Sequence, residues 1–535
     1  MNPASTGSDH SRGDRGVFSV LLVLYFLVLY PILRANRYYN DDLKRALIGR
    51  TGWDSTGRPL TNLLMKLLQC YDHALVDISP LTQIGAIAVL AWIGVLIARR
   101  YAIGSPWMAA LVAFPIGAQP FFLENLSYKF DALSMSLAML LALLPIIALK
   151  NDRRGWWLGV LILFSSLNFY QPAINAYLIF ILLDIVLAQL QATPPRQLLR
   201  QFLSRALQAS VAMLIYQVVV GVHVNGWVKQ NSVKIHNLHE LPLVGANIAG
   251  LYRFISDSFN AQWWAYFAPV LTLMALLPVV IGIRYAIAVR GSEPTRVTAL
   301  LFVTSFLLPA VAFVCLLGPM LVLVKPPIAP RVLTGVGALL AAGLIVMQAS
   351  LRQWRQSERW TLFVAGMVAL GMCSFASAYG NALGEQKNYE DRIATRLADD
   401  LAEIEVGRPG LSVLLDGTAG YSPVTAHIAE QFPLIRTLVP PYISADDMFH
   451  THIFLLYYLP DFIDLRLSTD AETKQRASRM LARACHASAM RTTHAYNLYL
   501  IDNSAVVMFH PTPTPLSSST GSQCAAMSNT PGRSR

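Results

Sequence analysis

The sequence predicts a predominantly α protein: a polytopic membrane helical bundle of about eleven transmembrane helices, with a small extracytoplasmic α/β domain at its C-terminal end. Three observations predict this. The 535 residues are 54% hydrophobic and only 14% charged, with a mean hydropathy of +0.45, more apolar side chain than a soluble domain of ordinary surface-to-volume ratio can bury. Apolar runs long enough to cross a bilayer recur from Val17 to about residue 379. From residue 381 the pattern becomes polar and mixed.

Residues 1–16 are polar and carry Arg12 and Arg15 ahead of the apolar run Val17–Leu33. No clear small-x-small cleavage site follows, so the run reads as an uncleaved anchor helix whose N-terminus is cytoplasmic. Residues 35–80 form an external loop, which includes RPLTNLLMKLLQ (58–69). Leu60, Leu63, Leu64, Leu67 and Leu68 share one helical face there, the pattern of a short helix lying in the membrane interface. Further spans are expected at about 81–98, 105–123, 131–149, 156–169, 172–190, 206–223, 263–283, 297–323, 332–350 and 361–379. Basic clusters (Arg99-Arg100, Lys150 to Arg154, Arg196/Arg200/Arg205, Arg284/Arg290/Arg296, Arg352/Arg355/Arg359) fall at every second junction, as positive-inside topology requires of a chain that starts inside. The net charge of +11 therefore reads as cytoplasmic loops and anionic-lipid contact, not as nucleic-acid binding.

The membrane region thus spans 17–380, and 381–510 is expected to be the extracytoplasmic domain. Helices are predicted at 388–405, 425–431 and 471–485, strands at 411–415, 496–501 and 505–509, with an aromatic stretch at 449–458. Residues 511–535 are rich in Ser, Thr, Pro and Gly and read as a disordered tail. Cys70, Cys315 and Cys373 lie in or beside apolar runs; Cys485 and Cys524 can pair if their region is periplasmic. There is no clear internal repeat, zinc-ligand spacing or Gly-rich phosphate loop.

Candidate chemistry gathers at the alternate, external junctions. The stretch YYNDDLKRALIGRTGWDSTGRP (38–59) places an acidic pair, Asp41-Asp42, just after the first span. Either aspartate suits a general base that takes the proton of an acceptor hydroxyl attacking an activated sugar carbon. Helix capping by Asn40 or Asp41 is the plainer alternative. The pair can also hold a divalent cation, though two side chains make a thin site. No cofactor is otherwise indicated.

Arg45, Arg58, Lys129, Lys325 and Arg331 are external cations, suited to phosphate oxygens that gain charge, or equally to lipid headgroups and ion pairs. Arg58 and Arg331, each next to Gly or Pro beside a span, favour the phosphate role. Glu124 and Asp131 flank one external turn, FLENLSYKFD, where they can orient sugar hydroxyls or the nearby basic groups; Asp131 is also a candidate cap. Tyr170-Gln171-Pro172 breaks a long apolar stretch and suits a sugar or lipid-phosphate pocket, or an interfacial aromatic belt. Trp53, Trp263 and Trp264 are expected at the interface.

Residues 38–68 with DISPLTQI (77–84) and FLENLSYKFDALSMSLAMLLALLP (122–145) resemble the bacterial serotype-converting O-antigen glucosyltransferases of the Gtr type-II family. The likeness runs from residue 20 to about 380. It implies a GT-C-type membrane fold and a glucosyltransferase of the inner membrane with a periplasmic active site. The implied donor is an undecaprenyl-phosphate-linked sugar, typically glucose, and the implied acceptor a glycan such as O-antigen. On this likeness Asp41 and Asp42 match the catalytic acidic pair and Arg58 the GR element. Arg331 and Lys129 are carried over as donor-phosphate binders, and Glu124, Tyr170 and Gln171 as substrate binders; Arg45 joins the first set and Asp131 the second from the reading of the residues alone. A lipid-linked donor also accounts for the missing nucleotide site. Rival readings are a lipid-linked glycan flippase or exporter, an O-antigen polymerase or ligase using a diphosphate-linked donor, and a non-enzymatic scaffold. Against the flippase, charge lies at the external face and not near the midplane of several spans.

Overall fold

The apolar runs expected to cross the membrane are largely helical in the computed structural model, which describes residues 3–71, 73–150, 152–405, 412–444, 447–459, 463–465 and 470–510. Two compact units divide the chain. The first is Met1–Leu33 with Ile48–Ser377, and the second is Arg34–Leu47 with Ala378–Arg535.

The first unit is a bundle of helices, the one regular structure that satisfies every backbone group of an isolated segment in hydrocarbon. Among the described residues, eight helices are long and apolar enough to span a membrane: Gly13–Ala35, Leu81–Arg100, Gln171–Leu190, Pro195–His223, Ala261–Val289, Thr295–Cys315, Gly335–Gln353 and Arg359–Ile404. A ninth arises if the bent pair Pro106–Ala118 and Pro120–Ser127 is one span. The difference from eleven lies in Ala132–Ile147 and Arg153–Phe169, of 16 and 17 residues. These fall short of the roughly 20 residues that cross a ~30 Å core. Leu81–Arg100 and Gly335–Gln353 are the most enclosed of the eight, whereas Thr295–Cys315 keeps most of its surface free of protein.

The bent pair sets the direction of a carboxylate. Pro115 and Pro120 interrupt the helix, and Gln119 between its halves is extended (φ −63°, ψ 146°). Gln119 accepts from Phe121 N at 2.9 Å and donates to Leu333 O at 3.3 Å, so the break is internally satisfied. The 54° turn aims the short helix Leu123–Ser127, and Glu124 with it. In the helix Pro59–Gln69, Thr61, Asn62 and Met65 face inward while Leu63 and Leu67 are exposed. Part of the leucine stripe is therefore left uncovered by protein, as on an interfacial helix, while Leu60, Leu64 and Leu68 are half-buried.

The second unit contains a five-stranded mixed sheet: β1 (Ser412–Gly417), β2 (Ile463–Asp464), β3 (Arg491–Thr492), β4 (Tyr496–Ile501) and β5 (Ser504–Phe509), in the order β2-β1-β5-β4-β3. β1 runs parallel to β2 and β5; β4 is antiparallel to β5 and β3. Strand alternation supplies two cores. Val413, Leu415, Ala505 and Val507 pack with Ile393, Leu397 and Leu401, and Leu414 and Val506 pack with Ala477 and Met480 of the helix Ala471–Ala484. The helix that carries the last apolar run continues past residue 379: Arg359–Glu405 is one 47-residue helix. Cys524, whose pairing with Cys485 the sequence leaves open, and the rest of the tail 511–535 lie outside the described residues.

Candidate active site

In the first unit, the loop after the first span is anchored by Trp53. It is fully buried, not interfacial, and its Nε1 donates to Asp131 Oδ1 at 2.8 Å. Arg58 NH1 reaches the same oxygen at 2.9 Å, with its side chain 18% exposed and that of Asp131 4%. Asp131 occupies the N-cap position of Ala132–Ile147 but makes no capping hydrogen bond. Its carboxylate therefore serves the loop instead of the helix it precedes. Pro59 starts a helix directly after Arg58, and Asn62 of that helix donates to Asp54. These contacts, together with the short 3₁₀ turn Asp54–Thr56, fix the guanidinium at the loop's turn.

Gly57 closes that turn with φ +78°. Its carbonyl accepts from Gln171 Nε2 at 3.1 Å and Tyr216 Oη at 2.9 Å, and Gln171 Nε2 also donates to Tyr216 Oη at 2.7 Å. A Cβ here meets the Tyr216 hydroxyl at 2.4 Å. Gly57→Ala is therefore expected to cost at least the ~1–3 kcal/mol of a left-handed non-Gly residue, read as a lower thermal midpoint in detergent. Gly104→Ala, with open space around it, is the control expected to leave the midpoint unchanged.

A second carboxylate–arginine pair joins Glu124, from the same stretch as Asp131, to the distant Arg331. Glu124 Oε1 accepts from Arg331 NH1 at 2.7 Å and its Oε2 from Arg331 N at 2.7 Å. The Glu124 side chain is 4% exposed and that of Arg331 39%. Tyr170 Oη donates to Arg331 O at 2.9 Å, and Asn125 Nδ2 to the same oxygen at 3.3 Å. Arg331 is thus held at main chain and side chain yet keeps part of its guanidinium in the open. Its pKa lies above the ordinary arginine value; charge interaction with Tyr128 is the largest cause, burial opposes it, and Glu124 adds to it. Lys129, buried, pairs with Asp77 at 3.2 Å, so that cation is committed to a neighbouring loop.

The acidic pair belongs to the second unit. The helix Asp41–Ile48 starts at Asp41, which is exposed, whereas Asp42 is fully buried and its Oδ2 accepts from Tyr39 N at 3.4 Å. Arg45 lies half-buried on the same helix. The preceding peptide is held by residues that sequence reasoning passed over: Arg37, Glu390 and Tyr442. Their signal was faint, an arginine directly before an aromatic pair and a Glu-Asp pair in a mixed helix. Among the described residues no group of three or more His, Cys, Asp or Glu side chains gathers at metal-binding distance.

A bundle of apolar helices whose loops carry paired carboxylates and arginines defines a membrane protein with an ionised polar site in its loops. The chain belongs to the glucosyl transferase GtrII family, whose model matches residues 30–342. It is a membrane glycosyltransferase. It is also similar to an uncharacterized 55.3 kDa protein in the gtrB 5' region of Salmonella phage P22, at 26% identity over 443 residues, which is 82% of this chain and 89% of that protein. No solved structure matches.

Proposed function

We propose that the protein moves glucose from a polyprenyl-phosphate donor, undecaprenyl phosphate glucose, to an extracytoplasmic glycan such as O-antigen, by a single inverting displacement. Family membership supports the reaction class. The observation that carries the donor class is the pair of arginines, Arg58 and Arg331, each fixed by a buried carboxylate from the stretch 124–131. Fixed guanidinium groups suit a phosphate whose charge grows as it leaves.

In the proposed step Asp41 removes the acceptor hydroxyl proton and the oxygen attacks the anomeric carbon. The bond from that carbon to the phosphate oxygen breaks, and its electron pair leaves with the lipid phosphate. Arg58 and Arg331 take the phosphate, with Arg45 as a further cation, whereas Lys129 stays with Asp77. Gln171, beside the Gly57 turn, and Tyr170, beside Arg331, contact the sugar, while Glu124 and Asp131 orient the arginines they hold around it. The alternating basic junctions support a cytoplasmic-membrane protein with its N-terminus inside, a membrane domain over 17–380 and a periplasmic domain over 381–510.

The test uses membranes bearing the full chain, purified O-antigen and radiolabelled donors. Transfer is expected from polyprenyl phosphate glucose and not from nucleotide glucose or a diphosphate-linked glycan, with inverted anomeric configuration in the product. Transfer from the diphosphate-linked glycan alone, or translocation of a lipid-linked glycan without transfer, overturns the donor assignment. A retained configuration overturns single displacement.

A further inference from the structure

Resting on that reading, we infer that Arg37, Glu390 and Tyr442 are positioning residues of the transfer reaction, a buried clamp in the second unit that fixes the peptide carrying Asp41 and Asp42. The clamp is a closed circuit. One oxygen of Glu390 accepts from Arg37 NH2 at 2.8 Å, and the other from the backbone N of Tyr442 at 2.5 Å. The Tyr442 hydroxyl donates to Tyr38 O at 2.9 Å and accepts from Asn40 N at 2.7 Å, gripping both ends of the turn that immediately precedes Asp41. Arg37 also donates to Pro440 O at 2.7 Å and lies over the Tyr442 ring, 4.1 Å from its centroid. Three stretches of chain, 37–42, 386–390 and 440–442, meet in it.

Burial makes this an unusual way to hold a loop. The side chains of Arg37 and Glu390 are 3% and 1% exposed. A buried ion pair pays desolvation that its attraction barely returns, so it is poor as a source of stability and better suited to fixing one geometry. Burial is the largest single effect and works against the Arg37 charge, but Glu390 and the surrounding Tyr442, Tyr39 and Tyr379 together outweigh it, leaving its pKa above the ordinary arginine value. Burial also pushes the Tyr442 hydroxyl up to about 12, so it stays protonated and can donate. The geometry it fixes is a left-handed turn: Asn40 has φ +45°, a conformation that Asn adopts more readily than most L residues. Tyr39 Oη, bonded to Leu438 O at 3.0 Å, and Leu43, in the core of the second unit, secure the flanks. The turn, and with it the direction in which the exposed Asp41 points, is set by side chains about 350 to 400 residues away in sequence.

Glu390→Gln strands a buried guanidinium and is expected to lower the folded yield, so Tyr442→Phe carries the test. It keeps the ring, the volume and the cation contact and removes only the hydroxyl that grips residues 38 and 40. Per folded, membrane-inserted protein, kcat for transfer is expected to fall about 10²-fold while the donor KM changes less than about twofold. Amide exchange in the peptide covering 38–43 is expected to speed up while strands β1, β4 and β5 keep wild-type protection. A role confined to structure lowers the folded yield and leaves kcat per folded molecule at the wild-type value; that result overturns the inference, as does unchanged exchange over 38–43. The two readings fail separately. Full activity of both Asp41→Asn and Asp42→Asn removes the catalytic pair itself, whereas inactive aspartate variants beside a fully active Tyr442→Phe remove only the clamp.

Discussion

Asp41→Asn is expected to lower kcat by about 10²–10⁴-fold, the range supplied by a positioned general base, while membrane level and thermal midpoint stay at wild-type values. The reason is exposure. Asp41 begins its helix at the surface, where an acceptor hydroxyl can reach it and where exchanging a carboxylate for an amide removes no packing. Asp42 is fully buried and directed at the backbone of Tyr39. Its exchange for Asn is therefore expected to act through the fold, lowering the midpoint by an amount corresponding to about 1–3 kcal/mol with a smaller loss of kcat per folded molecule. The measurement is radiolabelled glucosyl transfer from polyprenyl phosphate glucose, normalised to folded protein. A fully active Asp41→Asn, or a wild-type midpoint with abolished transfer in Asp42→Asn, reverses the assignment of the two roles.

The long apolar helices and the strands β1, β4 and β5 were legible because each carries its own pattern, whereas the helix Pro242–Asp257 and the two-residue strands β2 and β3 were not. The apolar runs are continuous, and segments such as Tyr496–Ile501 and Ser504–Phe509 are rich in the β-branched and aromatic residues of strands. What was not legible lies in pairings across long sequence distances. Nothing local ties Arg37 to Glu390 or Trp53 to Asp131, and Trp53 read alone is an interfacial aromatic. The two readings of Asp131, as a helix cap or as a partner for basic groups, were equal in sequence; only the placement of Arg58 separates them. The count of spans was blurred for a related reason. Ala132–Ile147 is as apolar as its neighbours, and its shortness appears only once its ends are fixed by Asp131 and Ala148.

Arg331 is where stability and chemistry are hardest to separate, and a double variant separates them. Arg331→Met removes the guanidinium and leaves Glu124 as a buried carboxylate that retains the backbone N–H of position 331 as a donor. A stability loss of about 3 kcal/mol is expected, the lower end for a broken buried pair because that one bond survives. Transfer is expected to fall about 10²–10³-fold in kcat/KM, as for loss of one fixed donor to a developing anion. Most of the fall is expected in kcat. The donor phosphodiester carries one negative charge when bound and gains a second as the sugar leaves, so a fixed cation favours the transition state over the bound donor. Adding Glu124→Gln to Arg331→Met removes the stranded charge, and the thermal midpoint is expected to recover most of the way. Activity is not expected to recover, because a neutral amide does nothing for the departing phosphate. If the double variant regains wild-type transfer along with its stability, Arg331 acts only as a brace for Glu124, and the phosphate role passes to Arg58 alone.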